Sequence, residues 1–242
     1  MMSLASRFRF KSRAAINGIN ALLLARLNGS TVVSGFPKTG TTYLSHVAQF
    51  ATGRTYIEGS RRLALRPSVI HCHFRLVPRS AVFSYRPINK VIASYVTHLL
   101  DYERSGIFER LDTGRETQAD LDRIRAIADF ILTGSPQMPS PQRYYADVLR
   151  RGSFVVPIED LATSGPVRER LARLWQVTPW LLSQGVSLAD ALSQERRAQG
   201  NEFYNRPSDR IRAVLDGDAV LRDRIKGEAC AVATLLQKQS HD

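Results

Sequence analysis

Phe36-Pro37-Lys38-Thr39-Gly40-Thr41-Thr42 puts a lysine, a glycine and a run of hydroxyls on one short stretch, the set of groups that grips a phosphate. Ahead of it, the β-branched run Thr31-Val32-Val33-Ser34 reads as a strand, and behind it Thr42 to Phe50 reads as a helix. A strand feeding a glycine-bearing turn into a helix N-terminus aims several backbone N–H groups and the positive end of the helix dipole at one point. Phosphate binds at such a point. Gly35 and Gly40 keep the G-x-x-x-x-G spacing of a nucleotide-binding loop, but the Lys-Ser/Thr pair that should follow is replaced by Thr41-Thr42. The lysine stands inside the turn instead. From there Lys38 is suited to neutralise charge on the atom that joins a 5′-phosphate to its leaving partner. Lysine is scarce in this basic chain, occurring only at positions 11, 38, 90, 226 and 238, so its use at position 38 is informative.

A second constellation is Phe83-Ser84-Tyr85-Arg86-Pro87-Ile88-Asn89-Lys90-Val91-Ile92-Ala93-Ser94-Tyr95. Ser80 to Tyr85 reads as a strand ended by Arg86, and Pro87, with its fixed φ and missing N–H, suits the start of a helix over Ile88 to Leu100. Ser94 then lies two turns in, on the face of Lys90, and an arginine fork with a serine hydroxyl can hold one phosphate together. Between the two motifs runs Val69-Ile70-His71-Cys72-His73-Phe74-Arg75, expected as a strand over Ser68 to Phe74 that puts His71 and His73 on one face. An H-x-H pair can bind metal, but no third and fourth ligand follows at a workable spacing, so no metal site is expected. An imidazole that titrates near neutrality is well matched to taking a proton from a hydroxyl, which makes His73 the candidate general base. Glu58, on the preceding strand-like segment, is the competing base.

Phe36-Pro37-Lys38-Thr39-Gly40-Thr41-Thr42-Tyr43 resembles the 5′-phosphosulfate loop of sulfotransferases, Y-P-K-S-G-T-T-W. The resemblance implies that Lys38 contacts the bridging oxygen and sulfuryl group, and that Thr41 and Thr42 with the loop amides hold the 5′-phosphate. It sets Tyr43 near the adenine and counts Pro37, Thr39 and Gly40 in the same loop. It further implies that Arg86 and Ser94 hold the 3′-phosphate of 3′-phosphoadenosine 5′-phosphosulfate (PAPS), and His73 falls on the histidine of the K-T-H-L-P strand in the cytosolic branch. Phe154 to Leu161 is similar to the strand and Y-E-D-L turn of that family. Its R-K-G run has only a partial counterpart around Phe203 to Arg210, where Arg206 is the candidate third clamp. The implied activity is transfer of a sulfuryl group from PAPS to a hydroxyl or amine of a small-molecule, carbohydrate or lipid acceptor, releasing adenosine 3′,5′-bisphosphate. A P-loop kinase or NTPase would need the lysine beside Thr41 and a magnesium-binding Asp downstream. A basic nucleic-acid-binding module would need clustered arginines with aromatics, and neither pattern is evident.

To position these residues the chain alternates short β-branched runs with longer helical patterns, which predicts an α/β fold. A mostly parallel central sheet flanked by helices, P-loop NTPase-like, is expected, with a helical C-terminal part. Besides the strands named above, Thr55 to Ile57 and Phe154 to Ile158 read as strands. Ala14 to Leu27, Asp112 to Leu132 and the chain from Val167 onward read as helices, Leu171, Leu174 and Trp175 facing inward. The proline-rich run from Gly134 to Pro141 reads as a loop and the best place for a lid. A length of 242 residues with 43% apolar content is expected to form one domain over 1–242, with a flexible basic terminus over 1–13. The net charge of +12 suits a polyanionic partner. The two cysteines are too few for a disulfide framework, and the longest early apolar run, Ala21 to Ala25, is too short to span a bilayer. A cytoplasmic protein without membrane insertion is therefore expected.

Overall fold

The computed structural model describes residues 23, 26–58, 66–73, 75, 80–103, 106–135, 138–199 and 208–239. Its strands are β1 (Thr31–Gly35), β2 (Thr55–Glu58), β3 (Ser68–His71), β4 (Val82–Tyr85) and β5 (Phe154–Pro157). They form one all-parallel sheet in the order β2-β3-β1-β4-β5, flanked by helices. Residues 32–33 of the central strand β1 and 82–83 of its neighbour β4 are buried on both faces, as apolar runs in a parallel sheet require. Because every strand runs the same way, the turns after β1, β3, β4 and β5 all emerge at one edge, where ligands of open α/β sheets bind.

By its internal contacts the chain divides into two compact units, Met1–Arg86 with Asp147–Gln199, and Pro87–Ala146 with Gly200–Asp242. The first holds the sheet, α1 (Thr41–Thr52), the 3-10 turn Ile158–Asp160, α6 (Gly165–Trp175) and α7 (Pro179–Ala198). Its core joins Val33, Val69, Val82 and Val156 of the sheet to Leu44 and Val47 of α1 and to Leu171, Trp175, Leu182 and Val186. Helix α7 lies so close to α1 that a Cβ on Gly185 would stand 2.7 Å from the Val47 carbonyl oxygen and 3.0 Å from Ala51. Glycine is what allows this approach.

The second unit contains α2 (Ile88–Glu103), α3 (Ile107–Asp112), α4 (Gln118–Thr133), α8 (Ser208–Gly217) and α9 (Ala219–Gln239), with α2 packed against α4, α8 and α9. Helix α5 (Pro141–Arg150) runs from the second unit into the first.

Three expectations need correction. The helix expected over Asp112 to Leu132 begins only at Gln118: Asp112 closes α3, and residues 113–117 are not helical. The break comes where Thr117 accepts from the Asp120 N–H and the Asp120 carboxylate accepts from the Thr117 N–H, a capping box that starts α4 afresh. Strand β3 stops at His71, not Phe74: its register with β2 ends at Glu58↔His71 and its register with β1 ends at Val33↔His71, while β1 runs on to Gly35 paired with β4 alone. Leu174 is 43% exposed, since the buried arc of α6 is set by Leu171, Ala172 and Trp175. Of the helix expected over Ala14 to Leu27, Leu23 and residues 26–28 are described and are helical. The basic opening 1–13 and the middle of the proline-rich loop, 136–137, lie outside the described residues.

Candidate active site

The turn that follows β1 is shaped by two left-handed residues, Lys38 at φ 67° and Gly40 at φ 87°. For glycine this conformation is free of strain; for lysine it costs roughly 1–2 kcal/mol, and such strain concentrates where a site needs a side chain at one particular place. The Thr39 N–H donates to the Phe36 carbonyl at 3.2 Å, closing the turn, and α1 begins at Thr41.

Beneath the turn lies a buried cluster of hydroxyls. Ser84, in β4 and opposite Gly35 of β1, has its Oγ 2.9 Å from Thr39 Oγ1 and 2.9 Å from Thr41 Oγ1, while Thr39 Oγ1 donates to the Phe36 carbonyl at 2.6 Å. The three hydroxyls converge over the α-carbon of Gly35. A Cβ there would fall on Ser84 Oγ and lie 2.7 and 2.8 Å from the two threonine oxygens, so the first glycine of the motif makes room for the network. The second is hemmed in by neighbouring turns: a Cβ on Gly40 would be 3.0 Å from Ile158 Cγ1 and 3.6 Å from Arg86 Cδ. Arg86, directly after β4, thus runs its side chain beside the glycine turn that carries Lys38.

His73 comes to the same turn from the other side. Its Nδ1 lies 2.9 Å from the Gly35 carbonyl oxygen. A carbonyl only accepts, so Nδ1 carries the proton and Nε2 carries the lone pair of the neutral ring. His73 is exposed, whereas His71 is buried, its ring edge-on to that of His73 at 4.9 Å between centroids. The Tyr56 hydroxyl lies 3.0 Å from His71 Nδ1, and the Tyr56 ring is 5.0 Å from that of His46 on α1. Burial above all, and then repulsion from His73 and His46, hold the His71 pKa well below the usual imidazole range. His46 is also lowered, again chiefly by burial. Among the described residues no group of three or more His, Cys, Asp or Glu is arranged to hold a metal ion.

The remaining expected residues are placed as follows. Pro37 and Thr42 are half-buried on the turn and the first turn of α1. Tyr43 packs against the core of the first unit and donates its hydroxyl to Asp190 Oδ1 of α7 at 2.9 Å; burial and this carboxylate raise its pKa. Ser94 is half-buried on α2, in the second unit. Glu58 ends β2, its backbone paired with His71; its side chain is outside the described set, and so is the whole of Arg206. Lys38, Arg86 and His73 are therefore gathered on one turn.

Sequence reasoning passed over Ser84, Tyr56 and His46. Ser84 did carry a signal, a small hydroxyl in the otherwise apolar run Ala81-Val82-Phe83-Ser84, where a buried strand has no use for polarity unless it is bonded. Tyr56 and His46 had none, because their contacts are made across elements. Compared with family models, with curated proteins and with solved structures, the chain matches none. Among the described residues no helix is long and apolar enough to cross a membrane.

Proposed function

We propose that this chain is a sulfotransferase that uses PAPS, and that its parallel sheet is of the P-loop NTPase-like kind. The observation carrying the proposal is the convergence on one turn: the His73 ring bonded to Gly35, the Arg86 stem beside Gly40, and Lys38 held between them in a left-handed conformation. A turn that exposes amides to a phosphate, with two cations and a base of fixed tautomer around it, has the components an in-line displacement at sulfur requires.

In the proposed reaction His73 Nε2 takes the proton of the acceptor hydroxyl as its oxygen bonds to sulfur. The bond from sulfur to the bridging oxygen breaks, and its electron pair leaves with adenosine 3′,5′-bisphosphate. Lys38 and the loop amides stabilise the charge gathering on that phosphate. Arg86 binds the 3′-phosphate; the assignment of Ser94 to the same phosphate rests on motif spacing, and that of Arg206 on its partial motif. The acceptor is a hydroxyl or amine of a small molecule, carbohydrate or lipid, and the proposed location is the cytoplasm.

Thermal unfolding of the full chain with adenosine 3′,5′-bisphosphate, and separately with magnesium-ATP, tests the reading. At about 100 times its dissociation constant the bisphosphate is expected to stabilise by about 2.7 kcal/mol, and Arg86→Ala to reduce that shift. A larger shift with magnesium-ATP, accompanied by its hydrolysis, would replace this reading with an NTPase.

A further inference from the structure

We infer that Ser84 braces the phosphate turn, as the hub of a one-way hydrogen-bond chain that withdraws the Thr41 hydroxyl from a bound anion and leaves Thr42 to meet it. The inference rests on the reading of the turn as an anion site.

The direction of the chain follows from counting protons. A hydroxyl has one to give. Thr39 spends its proton on the Phe36 carbonyl at 2.6 Å, an oxygen that has none to return. The 2.9 Å bond between Thr39 and Ser84 must then use the proton of Ser84, and the 2.9 Å bond between Ser84 and Thr41 must use that of Thr41. The Ser34 carbonyl, at 3.4 Å from Ser84 Oγ, is a weaker acceptor than Thr39.

Thr41 is thus left with lone pairs alone, which repel an anion. It is 2% exposed, and Ser84 is 0% exposed. Breaking the link to free the Thr41 proton would strand a buried acceptor with little access to water. Thr42 differs in both respects: it is half-buried, and its hydroxyl has no internal bond among the described residues. The two adjacent threonines therefore divide the work. Thr41 braces the turn against β4, and Thr42 donates to the ligand. Gly35 belongs to the same device, because only a residue without Cβ leaves Ser84 Oγ its place between the threonines.

The test uses the full chain with Thr42→Val, Thr41→Val, Thr41→Ser and Ser84→Ala, measuring melting without ligand and binding of adenosine 3′,5′-bisphosphate and of pyrophosphate by calorimetry. Thr42→Val is expected to weaken binding by about 10–100-fold, the range for a lost hydrogen bond to a charged group, with Tm unchanged. Thr41→Val and Ser84→Ala are expected to lower Tm while the folded protein keeps its affinity, and Thr41→Ser to restore Tm. Should Thr41→Val fail to fold, Ser84→Ala carries the same comparison. Loss of affinity in Thr41→Val equal to that in Thr42→Val, with Tm intact, would overturn the division of labour. If wild type binds pyrophosphate but not the adenosine bisphosphate, the sulfotransferase reading falls and the threonine comparison is made on pyrophosphate. If it binds neither, both fall.

Discussion

The two units hold their polar groups in different ways. At the carboxyl edge of the sheet in the first unit, buried polarity is uncharged: Ser84, Thr39 and Thr41 share protons, and His71 and Tyr56 pair as neutral rings. The second unit is laced with ion pairs. Arg110 forks Asp120 at 2.6 and 2.8 Å, Arg125 meets Asp218 at 3.3 Å, and Arg123 and Arg224 pair with Glu103 and Asp129. The proposed role of the turn as an anion site would account for the contrast. A carboxylate beneath the turn would compete for the same N–H groups as the ligand and repel it, so that region is tied by hydroxyls and imidazoles. Between helices with no such duty, an arginine is best spent on a carboxylate.

The largest expected effect tests whether the strain at position 38 serves chemistry. Lys38→Gly relieves a left-handed conformation, so Tm is expected to hold or rise, while sulfuryl transfer from labelled PAPS falls by about 10²–10³-fold. Gln176 supplies the control within the same unit. It too is left-handed, at φ 56°, but it caps the C-terminus of α6. Gln176→Gly is expected to keep or raise Tm and leave turnover alone. Similar activity losses in both variants would mean that the position of Lys38 has no special role.

A second effect separates the units by pH. The His71 pKa is held low by burial, so its native state resists protonation. Below the unfolded value of about 6.5 the unfolded chain binds more protons, and the first unit loses stability as pH falls. Asp120 is depressed first by the bond from Arg110 and then by the Thr117 N–H, so its contribution is complete above about pH 4 and lost only below it. Hydrogen exchange followed peptide by peptide is expected to show β3 loosening between about pH 6.5 and 5 while α4 stays protected. His71→Gln is expected to flatten the first response. Asp120→Asn is expected to lower Tm by several degrees at pH 7, with the gap to wild type closing below about pH 4. Simultaneous loosening of both elements near pH 6 would erase the distinction.

The limits of sequence reading follow the same division. Five short strands and the glycine turn were legible because a β-branched run, a glycine and a following helical pattern are local signals. The end of β3 was not, since the pattern over Ser68 to Phe74 is continuous while the pairing with β1 and β2 that defines the strand ends at His71. The extension of that strand to His73 fails for the same reason: His71 is the last residue of β3 and His73, beyond it, bonds Gly35, though the two rings still meet edge-on. The break before α4 was written in Thr117 and Asp120, a Thr-x-x-Asp cap masked by the charge-rich periodicity around it. Motif spacing drew attention to Lys38 and Arg86 but not to the hydroxyl chain beneath the turn, because hydrogen bonds between β1, α1 and β4 exist only once the sheet order is set.

The smallest effect is expected at the surface of the second unit, and it sharpens the contrast by setting its lower limit. Arg123 and Glu103 join α4 to α2, with their side chains 34% and 29% exposed. Water reaches both groups, so most of their attraction is screened, and ordering two long side chains offsets part of what remains. Glu103→Gln is therefore expected to cost below about 1 kcal/mol, and the difference from wild type to vanish at about 1 M salt, where the Debye length is about 3 Å. Ser84→Ala changes no charge, so its cost should be insensitive to salt. A salt-independent loss at Glu103 as large as that at Ser84 would mean that the helical unit, too, depends on buried hydrogen bonds more than on its ion pairs.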